Sequence, residues 1–414
     1  MARLKGFEKL TNIDEAFSAF IEKLEKESLK SERIPTRMSL RRVTAEKILA
    51  GNDLPPFDRS AVDGYALKAQ NTFEASQFNP KTLKLTEDEE IHEGEAKQIW
   101  TGNSLPRGAD AVVMLEHTRK TKNRLEVGIA ITPGRNVSKK GEDVQKGEVA
   151  VEARTRLKPH HLGLLAALGA TDVDVVSKPK VAILSTGNEL VELGHKLKPY
   201  QIVETNRLIL SSMCQEVGAE PLDLGISRDD LKEIGTRIRE GLERADLVVT
   251  TGGTSVGNPD LVPMVVNQIG PPGVIVHGVA MRPGMPTALA VTQGKPVFIL
   301  PGNPVAAMIG FEVFVRPFLL KLLGVEWEPR PTLKARLTRR VASALGRRIF
   351  LRVRVFERNG EFFGEPVRIR GSAIFSTMTR ANGYVEIPEN REGLDEGESV
   401  TVHLFDSIEG TKHV

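Results

Sequence analysis

The chain of 414 residues contains a single cysteine, Cys214, which excludes an intrachain disulfide framework. This composition is typical of proteins from reducing compartments, and we therefore expect a cytoplasmic protein. Cys214 lies in an amphipathic, helix-like run over 208–217. The run predicts a buried core residue rather than a reactive nucleophile.

Long hydrophobic runs and an excess of one charge are also missing. No apolar run reaches membrane-spanning length, and the first ten residues lack the apolar core of a signal peptide. The 57 basic side chains nearly balance the 54 acidic ones, so overall charge indicates no class of partner. We expect neither a membrane nor a nucleic-acid partner.

Three familiar kinds of catalytic signature are absent. No segment has the glycine-lysine-serine or glycine-lysine-threonine ending of a nucleoside-triphosphate P-loop. The eight histidines are scattered apart from His160-His161, and with one cysteine they form no zinc-binding spacing. Nothing supports serine-histidine-aspartate chemistry.

The chain is too long for one core, and its patterns predict four domains in a multidomain α/β and β fold. A helical, elongated linker domain would comprise residues 1–50 and 145–178, with helices near 13–24 and 39–49. A small β-rich domain over 51–144 would be inserted into it. Residues 179–326 alternate strands and helices, which predicts a central parallel α/β sheet. Short alternating strands over 327–414 predict a C-terminal β-barrel.

Three glycine loops follow β-rich apolar runs within the α/β segment. Glycine allows backbone N–H groups to approach a ligand closely, and such loops meet at the carboxyl edge of a parallel sheet. The sequence therefore predicts an anion site at that edge. Its predicted ligand-binding residues are Gly187, Gly252, Gly253, Ser255, Gly257, Pro301, Gly302, Asn303 and Pro304.

Three carboxylates, Glu189, Asp229 and Asp260, each stand just after a predicted strand end. Because Mg²⁺ shares its octahedral shell between protein oxygens and substrate phosphates, we predict these three as magnesium ligands. Capping of a helix N-terminus is an equally good explanation for Asp229 taken alone, and Asp260 has a similar explanation. Glu189 has no obvious capping role.

A basic run over 330–354 carries nine lysines and arginines and no acidic residue. Surface aromatics and a nucleic-acid module are missing, which disfavours nucleic acid. Binding of a small anion and a solvated strand face remain equally good explanations. In either case, Arg352 and Arg354 share one face of a strand.

Motifs along nearly the whole chain resemble, in their order and spacing, the MoeA family, which is similar to the gephyrin E domain. The segments that carry the resemblance are 56–66, 101–102, 106–114, 141–143, 185–190, 251–257, 282–284 and 300–304.

The resemblance implies a molybdopterin molybdenumtransferase, which inserts molybdate or tungstate into adenylated molybdopterin with Mg²⁺ and releases AMP. It also implies a cytoplasmic homodimer of four-domain subunits, with the molybdopterin adenylyltransferase as a further partner. The α/β domain of one subunit would face the N- and C-terminal portions of the other. By motif match, functional positions are Asp63, Thr101, Asp143, Glu189, Asp229, Asp260, Arg282, Pro301, Pro304, Arg352 and Ser372.

Within that set, Thr101, Arg352 and Ser372 would receive the oxyanion, whereas Asp63 and Asp143 would position water or a proton. The chain departs from the family pattern at Gly278, where some members carry lysine, and at Ser138, near which a basic residue is expected. Position 282 is arginine where lysine is common, and arginine favours fork-like oxyanion contacts.

Two alternative functions stay open. The related molybdopterin adenylyltransferase shares the α/β domain but lacks the domains before residue 179 and after residue 330. A catalytically silent scaffold would retain the fold and bind the ligand without releasing AMP.

Overall fold

The computed structural model describes residues 10–25, 30–253, 260–325, 328–367 and 374–408. The chain divides into two compact units. The smaller unit is Ser31–Val175, and the larger unit combines Met1–Lys30 with Val176–Val414. None of the described helices is long and apolar enough to cross a membrane.

The smaller unit is rich in short strands, as its alternating apolar runs predict. Its strands are β1 (Ser31–Pro35), β2 (Ile48–Leu49), β3 (Arg59–Ser60), β4 (Gly64–Leu67), β5 (Lys81–Leu85), β6 (Glu95–Ile99), β7 (Ala111–Met114), β8 (Thr118–Thr121), β9 (Arg124–Val127), β10 (Val137–Ser138), β11 (Val149–Val151) and β12 (Asp172–Val176). Six of them form one sheet in the order β7-β4-β6-β5-β9-β8. Leu67, Leu83 and Leu125 are buried on one face of this sheet and form its core.

The helix predicted over 39–49 is wrong. A 3₁₀ turn over Thr36–Met38 is followed by isolated bridges at Val43 and Thr44 and then by β2, which pairs with β11. Thr44 is fully buried, and its hydroxyl donates to the carbonyl of Glu152 at 2.8 Å. The long-range bridge therefore outweighs the local periodicity. This unit does contain one α-helix, Pro159–Ala167.

The larger unit begins with helix α1 (Ile13–Ile21); the helix Pro159–Ala167 of the smaller unit is α2. Phe20 of α1 is fully buried, with its ring centroid 5.1 Å from that of Phe298. This helix packs within the larger unit, whereas the predicted linker domain combined it with residues 31–50. The remaining helices of the larger unit are α3 (Asn206–Val217), α4 (Leu231–Arg244), α5 (Leu261–Ile269), α6 (Pro304–Gly310), α7 (Arg316–Leu322) and α8 (Ser376–Thr379), with a π-helical turn over Phe311–Val315 between α6 and α7.

The central sheet of the larger unit is mixed rather than wholly parallel. The strands from its α/β segment are β13 (Lys180–Thr186), β14 (Leu190–Val191), β15 (Ile202–Val203), β16 (Glu220–Ser227), β17 (Leu247–Thr251), β18 (Pro272–His277), β19 (Met281–Arg282), β20 (Ala288–Thr292) and β21 (Lys295–Leu300). The sheet order is β16-β13-β17-β21-β20-β18, and the first four strands are parallel as predicted. Strand β20 is antiparallel to both of its neighbours, β21 and β18. Only residues 293–294 join β20 to β21, so these two strands form a hairpin.

Apolar side chains cover both faces of this sheet. Ala182 and Leu184 pack with Ile234 and Ile238 of α4 and with Val262 of α5. Strands β13, β17 and β21 are buried on both sides, so they are apolar along most of their length rather than alternating. The polar ends of these strands therefore stand out in the sequence.

The C-terminal part forms a closed barrel, which confirms the predicted β-barrel. Its strands are β22 (Thr332–Leu337), β23 (Val341–Ala342), β24 (Arg348–Arg358), β25 (Glu361–Pro366), β26 (Gly383–Ile387), β27 (Gly393–Leu394) and β28 (Ser399–Leu404). Five strands close the ring in the order β24-β25-β22-β28-β26, with β26 pairing back to β24. Strand β19 of the α/β segment pairs with β24, so that Arg282 lies in register with Ile349.

Candidate functional site

A large cavity lies at the carboxyl ends of the parallel strands in the larger unit. Its volume is about 1240 Å³. The ends of β13, β17 and β21 and the loops that follow them form its walls, together with the segment 281–286 and two arginines of the barrel region. The structure thus brings the predicted glycine loops together at one sheet edge.

The loop after β17 depends on two glycines in the left-handed region, Gly252 with φ +94° and Gly253 with φ +65°. A Cβ atom on Gly252 would lie 2.3 Å from the carbonyl oxygen of Thr186, and one on Gly253 would lie 2.9 Å from the Thr186 hydroxyl. Gly302 is packed against this loop, because its Cβ would meet the Cα of Gly252 at 3.4 Å. The glycines therefore allow these loops to pack closely against each other and against Thr186.

The loop after β13 contacts the loop between β16 and α4. The backbone N–H of Asp229 donates to Asn188 Oδ1 at 3.2 Å, and the N–H of Asn188 reaches Asp229 Oδ2 at 3.4 Å. Asp229 and Glu189 both line the cavity, and both are exposed. Two of the three predicted carboxylates therefore face the same space.

Helix capping does not explain Asp229. The N-cap of α4 is Asp230, whose carboxylate accepts from the N–H of Glu233 at 2.8 Å. Asp229 stands one residue before this cap, with its side chain toward the loop after β13. The helix start thus requires one of the two adjacent aspartates and leaves the other available to a ligand.

Asp260, the third predicted carboxylate, makes a different contact. It is the N-cap residue of α5, but its side chain makes no capping hydrogen bond. Its Oδ2 lies 2.9 Å from Nε2 of His277 on β18. Burial raises the pKa of Asp260, and the neighbouring His277 opposes that rise. Asp260 is not among the residues that line the cavity.

Among the described residues, no group of three histidine, cysteine, aspartate or glutamate side chains is close enough to hold a metal ion. Magnesium, however, commonly binds through one or two carboxylates and completes its shell with water and substrate phosphates. The exposed carboxylates of Glu189 and Asp229 beside the glycine loops fit that pattern.

Positive charge enters the cavity from three arginines, Arg282, Arg347 and Arg352. Arg352 is only 4% exposed, and burial, followed by the positive charge of Arg282, lowers its pKa. Arg282 and Arg347 form no ion pair with a carboxylate in the part of the chain that the structure describes. An anion in the cavity would relieve the repulsion between these cations.

The remaining basic residues of the run over 330–354 mostly contact acidic groups or backbone outside the cavity. Arg330 binds Glu312 at 2.9 Å and Glu216 at 2.8 Å, and Arg340 lies 3.3 Å from Asp395. Both explanations considered from the sequence, binding of a small anion and a solvated strand face, therefore apply to part of the run. Arg347 and Arg352 face the cavity, whereas exposed pairs such as Arg340–Asp395 belong to a solvated surface.

Three polar residues at the start of α3 are not among those predicted from the sequence. Glu204, Asn206 and Arg207 are buried, at 7%, 6% and 7% exposure, and the first two line the cavity. Their contacts reach the ends of several strands. A polar cluster ahead of a helix is also the ordinary pattern of capping, so no signal in the sequence distinguished them.

The predicted residues of the smaller unit include one close pair. Asp63 Oδ1 accepts from the backbone N–H of Thr101 at 2.8 Å and from its hydroxyl at 2.7 Å. These two bonds, the backbone one first, lower the pKa of Asp63. Asp143 is exposed, and its backbone N–H donates to the carbonyl of Leu54 at 3.0 Å.

The loop around Ser138 contains basic and acidic side chains that contact one another. Lys139 pairs with Asp58 at 2.8 Å, and Glu142 accepts from the backbone N–H of Lys139 at 2.8 Å and from the hydroxyl of Ser138. The positive charge expected near residue 138 is therefore present next to it, but it is paired.

Other predicted positions divide by location. Gly187, Pro301, Gly302, Asn303 and Pro304 line the cavity. Ser255, Gly257 and Ser372 lie outside the described residues.

Cys214 is fully buried in α3, and burial raises the pKa of its thiol to about 12. This confirms the prediction that Cys214 is a core residue.

Family models match three successive parts of the chain. The "MoeA N-terminal region (domain I and II)" matches residues 11–169, and the "Probable molybdopterin binding domain" matches residues 182–321. The "MoeA C-terminal region (domain IV)" matches residues 334–405. The second match contains the glycine loops of the cavity.

Similar proteins are known from bacteria and archaea. A molybdopterin molybdenumtransferase of Bacillus subtilis is 35% identical over 90% of this chain and 90% of its own length. One of Haemophilus influenzae is 32% identical over 97% of this chain and 100% of its own length. The crystal structure of a molybdopterin biosynthesis MoeA protein from Pyrococcus horikoshii OT3 is 34% identical, covers 96% of this chain and 100% of its own, and superposes with a TM-score of 0.82. The chain belongs to the MoeA family.

Proposed function

We propose that this protein is a molybdopterin molybdenumtransferase of molybdenum cofactor biosynthesis, the activity for which its curated relatives are named. In detail, it would insert molybdate or tungstate into adenylated molybdopterin and release AMP. The observation that carries the proposal is the cavity, in which backbone-lined glycine loops, exposed carboxylates and arginines converge at one sheet edge.

The glycine loops and the arginines suit the two anionic groups of the reaction. Gly252, Gly253 and Gly302 line the cavity, where their backbone N–H groups can meet a phosphate or pterin edge. The planar guanidinium groups of Arg282 and Arg352 can each donate two parallel hydrogen bonds to a tetrahedral oxyanion. Positive charge preplaced in a cavity also stabilises negative charge that develops on the leaving AMP phosphate.

Glu189 and Asp229 are the residues that would hold Mg²⁺ between protein and substrate phosphates. When bound, the cation would neutralise phosphate charge and polarise the bond to the leaving group. Asp260 stays a predicted third ligand, with His277 as its present partner. Asp63, whose pKa is lowered, stays ionised at neutral pH and would accept a hydrogen bond from water rather than donate a proton.

Purified protein incubated with adenylated molybdopterin and Mg²⁺ tests the proposal. We expect AMP to be released when molybdate is added, in step with loading of molybdenum onto the pterin. Parallel reactions with tungstate measure which oxyanion is preferred. Formation of adenylated product from ATP and molybdopterin would instead identify an adenylyltransferase. Tight binding of the adenylated substrate without AMP release would identify a scaffold.

The predicted homodimer belongs to the same proposal. Light scattering during size-exclusion chromatography measures it directly, since one chain has a mass of 45.5 kDa. A single species at the monomer mass would contradict it.

A further inference from the structure

Asn206, the first residue of α3, bridges two of the loops that form the cavity. Its Nδ2 donates to the hydroxyl oxygen of Thr251 at 2.8 Å and to the carbonyl oxygen of Gly302 at 2.8 Å. Thr251 ends β17, and Gly302 lies in the loop after β21. One side-chain amide therefore holds together the two loops whose glycines are in contact.

The direction of every hydrogen bond in this bridge is determined. The carbonyl of Gly302 can only accept, so the amide nitrogen of Asn206 must face it. The hydroxyl of Thr251 donates to the carbonyl of Pro301 at 3.0 Å and is left to accept from Asn206. Asn206 Oδ1 is buried and has no hydrogen-bond partner among the described residues, so the contacts of Nδ2 alone orient the amide.

A neighbouring residue extends the arrangement to a third loop. The buried carboxylate of Glu204 accepts from the hydroxyl of Ser185, at the end of β13, at 2.8 Å. The same carboxylate accepts from the backbone N–H of Arg207 at 3.0 Å and from its Nε at 3.1 Å. A negative charge is thereby held at the N-terminus of α3, where the helix dipole favours it.

We propose that Asn206 is a positioning residue that sets the spacing of the glycine loops after β17 and β21, while Glu204 holds the end of β13 beside them. The catalytic consequence of this inference rests on the proposed function. The effect of Asn206 on the spacing of the loops is independent of that function. Asn206 need not touch the reacting atoms. It acts through Thr251 and Gly302, because displacement of a phosphate-binding loop by about 1 Å can lower a rate about 100-fold.

The substitution Asn206→Asp tests the bridge with almost no change of shape. It replaces the donating nitrogen by an acceptor, which opposes the Gly302 carbonyl and leaves Thr251 without its donor. Gln215→Glu is the matched control, since it makes the same chemical change at an exposed position of the same helix. Thr251→Val and Thr251→Ser form a second pair, in which only the serine keeps the hydroxyl that joins Asn206 to Pro301.

Two readouts separate positioning from general stability. We expect hydrogen exchange of peptides covering 250–253 and 300–307 to accelerate about 10-fold in Asn206→Asp and Thr251→Val, while other peptides of the larger unit are unchanged. We also expect kcat for AMP release to fall about 10- to 100-fold with a smaller change in KM. Gln215→Glu should match the wild type in both readouts, and Thr251→Ser should recover most of what Thr251→Val loses.

Uniformly faster exchange across the larger unit would show that Asn206 only stabilises the fold, and this would overturn the inference. Unchanged kcat in variants whose loops exchange faster would overturn it as well. Absence of AMP release by the wild-type protein would instead refute the proposed function, and the exchange data would still decide whether Asn206 sets the spacing of the loops.

Discussion

Arg352 is buried within the electrostatic reach of Arg282, and both line the same cavity. Burial, and after it the charge of Arg282, disfavours the charged form of Arg352. Two like charges in a partly desolvated space are unfavourable unless an anion lies between or beside them. An anion bound beside Arg282 and Arg352 would lower this repulsion, as the proposed function requires.

Removal of either arginine should therefore weaken oxyanion binding. Each charge-assisted hydrogen bond contributes about 1.5–3 kcal/mol, so we expect Arg352→Gln and Arg282→Gln each to bind molybdate at least about 10-fold more weakly. Arg352→Lys should lie between wild type and Arg352→Gln, because lysine retains the charge without the planar fork. Isothermal titration calorimetry with molybdate measures these affinities.

Arg340→Gln is the control for these variants, since it removes an exposed cation that pairs with Asp395 away from the cavity. If Arg340→Gln weakened molybdate binding as much as Arg282→Gln, the effect would reflect net charge rather than the cavity. Circular dichroism should show that each variant is folded.

The adjacent aspartates Asp229 and Asp230 should separate activity from stability. Asp230 caps α4, so Asp230→Ala should lower the free energy of unfolding by about 1 kcal/mol and leave the rate of AMP release unchanged. Asp229→Asn should change stability by less than about 0.5 kcal/mol, as expected for an exposed position. Its rate of AMP release should fall about 100-fold, because an amide is a poorer ligand than a carboxylate for the Mg²⁺ that would neutralise charge in the transition state.

Urea denaturation and the AMP assay measure the two quantities on the same preparations. The reverse pattern, with activity lost in Asp230→Ala and retained in Asp229→Asn, would show that the helix start rather than the carboxylate of Asp229 matters for the reaction.

The parts of the site that lie directly after strands were predictable from the sequence. Strand β17 begins with the apolar run Leu247–Val249, and the two glycines Gly252 and Gly253 that follow its last threonines mark the strand end. The topology of the sheet then places such ends at one edge, and the cavity confirms this for the loops after β13, β17 and β21.

Residues that act through tertiary contacts were not predictable in this way. Asn206 is 45 positions from Thr251 and 96 from Gly302, and no local pattern records either hydrogen bond. The hairpin between β20 and β21 was missed for a different reason. Gln293 and Gly294 both adopt positive φ, which reverses the chain, yet glutamine is not a residue that signals such a turn.

Gly252 offers a test of how closely the loop after β17 is packed. Gly252→Ala would place a Cβ 2.3 Å from the Thr186 carbonyl oxygen in addition to straining φ, so we expect a loss of at least about 2 kcal/mol in unfolding free energy. Gly346→Ala is the matched control, because Gly346 has φ +82° but open space around the added Cβ. That variant should lose only about 1 kcal/mol, from backbone strain alone. Equal losses in urea denaturation would show that the contact with Thr186 relaxes freely.

The pair Asp63–Thr101 makes a prediction about pH. The backbone N–H of Thr101, and after it the hydroxyl, lower the pKa of Asp63, so Thr101→Val should raise that pKa while leaving it below the ordinary value. Thr101→Ser keeps both donors and should leave the pKa as it is. Because the pKa is lowered in the folded state, the stabilising contribution of Asp63 is present above the pKa of the unfolded chain. It is lost as the pH falls through the folded pKa.

Carbon-detected NMR titration of the Asp63 carboxyl group measures the shift directly. The stability difference between wild type and Thr101→Val should also shrink as the pH falls below the folded pKa of Asp63, because the protonated carboxyl no longer gains from an additional donor. A lower pKa in Thr101→Val, or a stability difference that grows toward acid pH, would contradict the assignment of the hydroxyl as a donor to Asp63. Asp63, which the family resemblance predicts as a functional residue, is thus tested separately from the cavity of the larger unit. The titration requires neither substrate nor oxyanion.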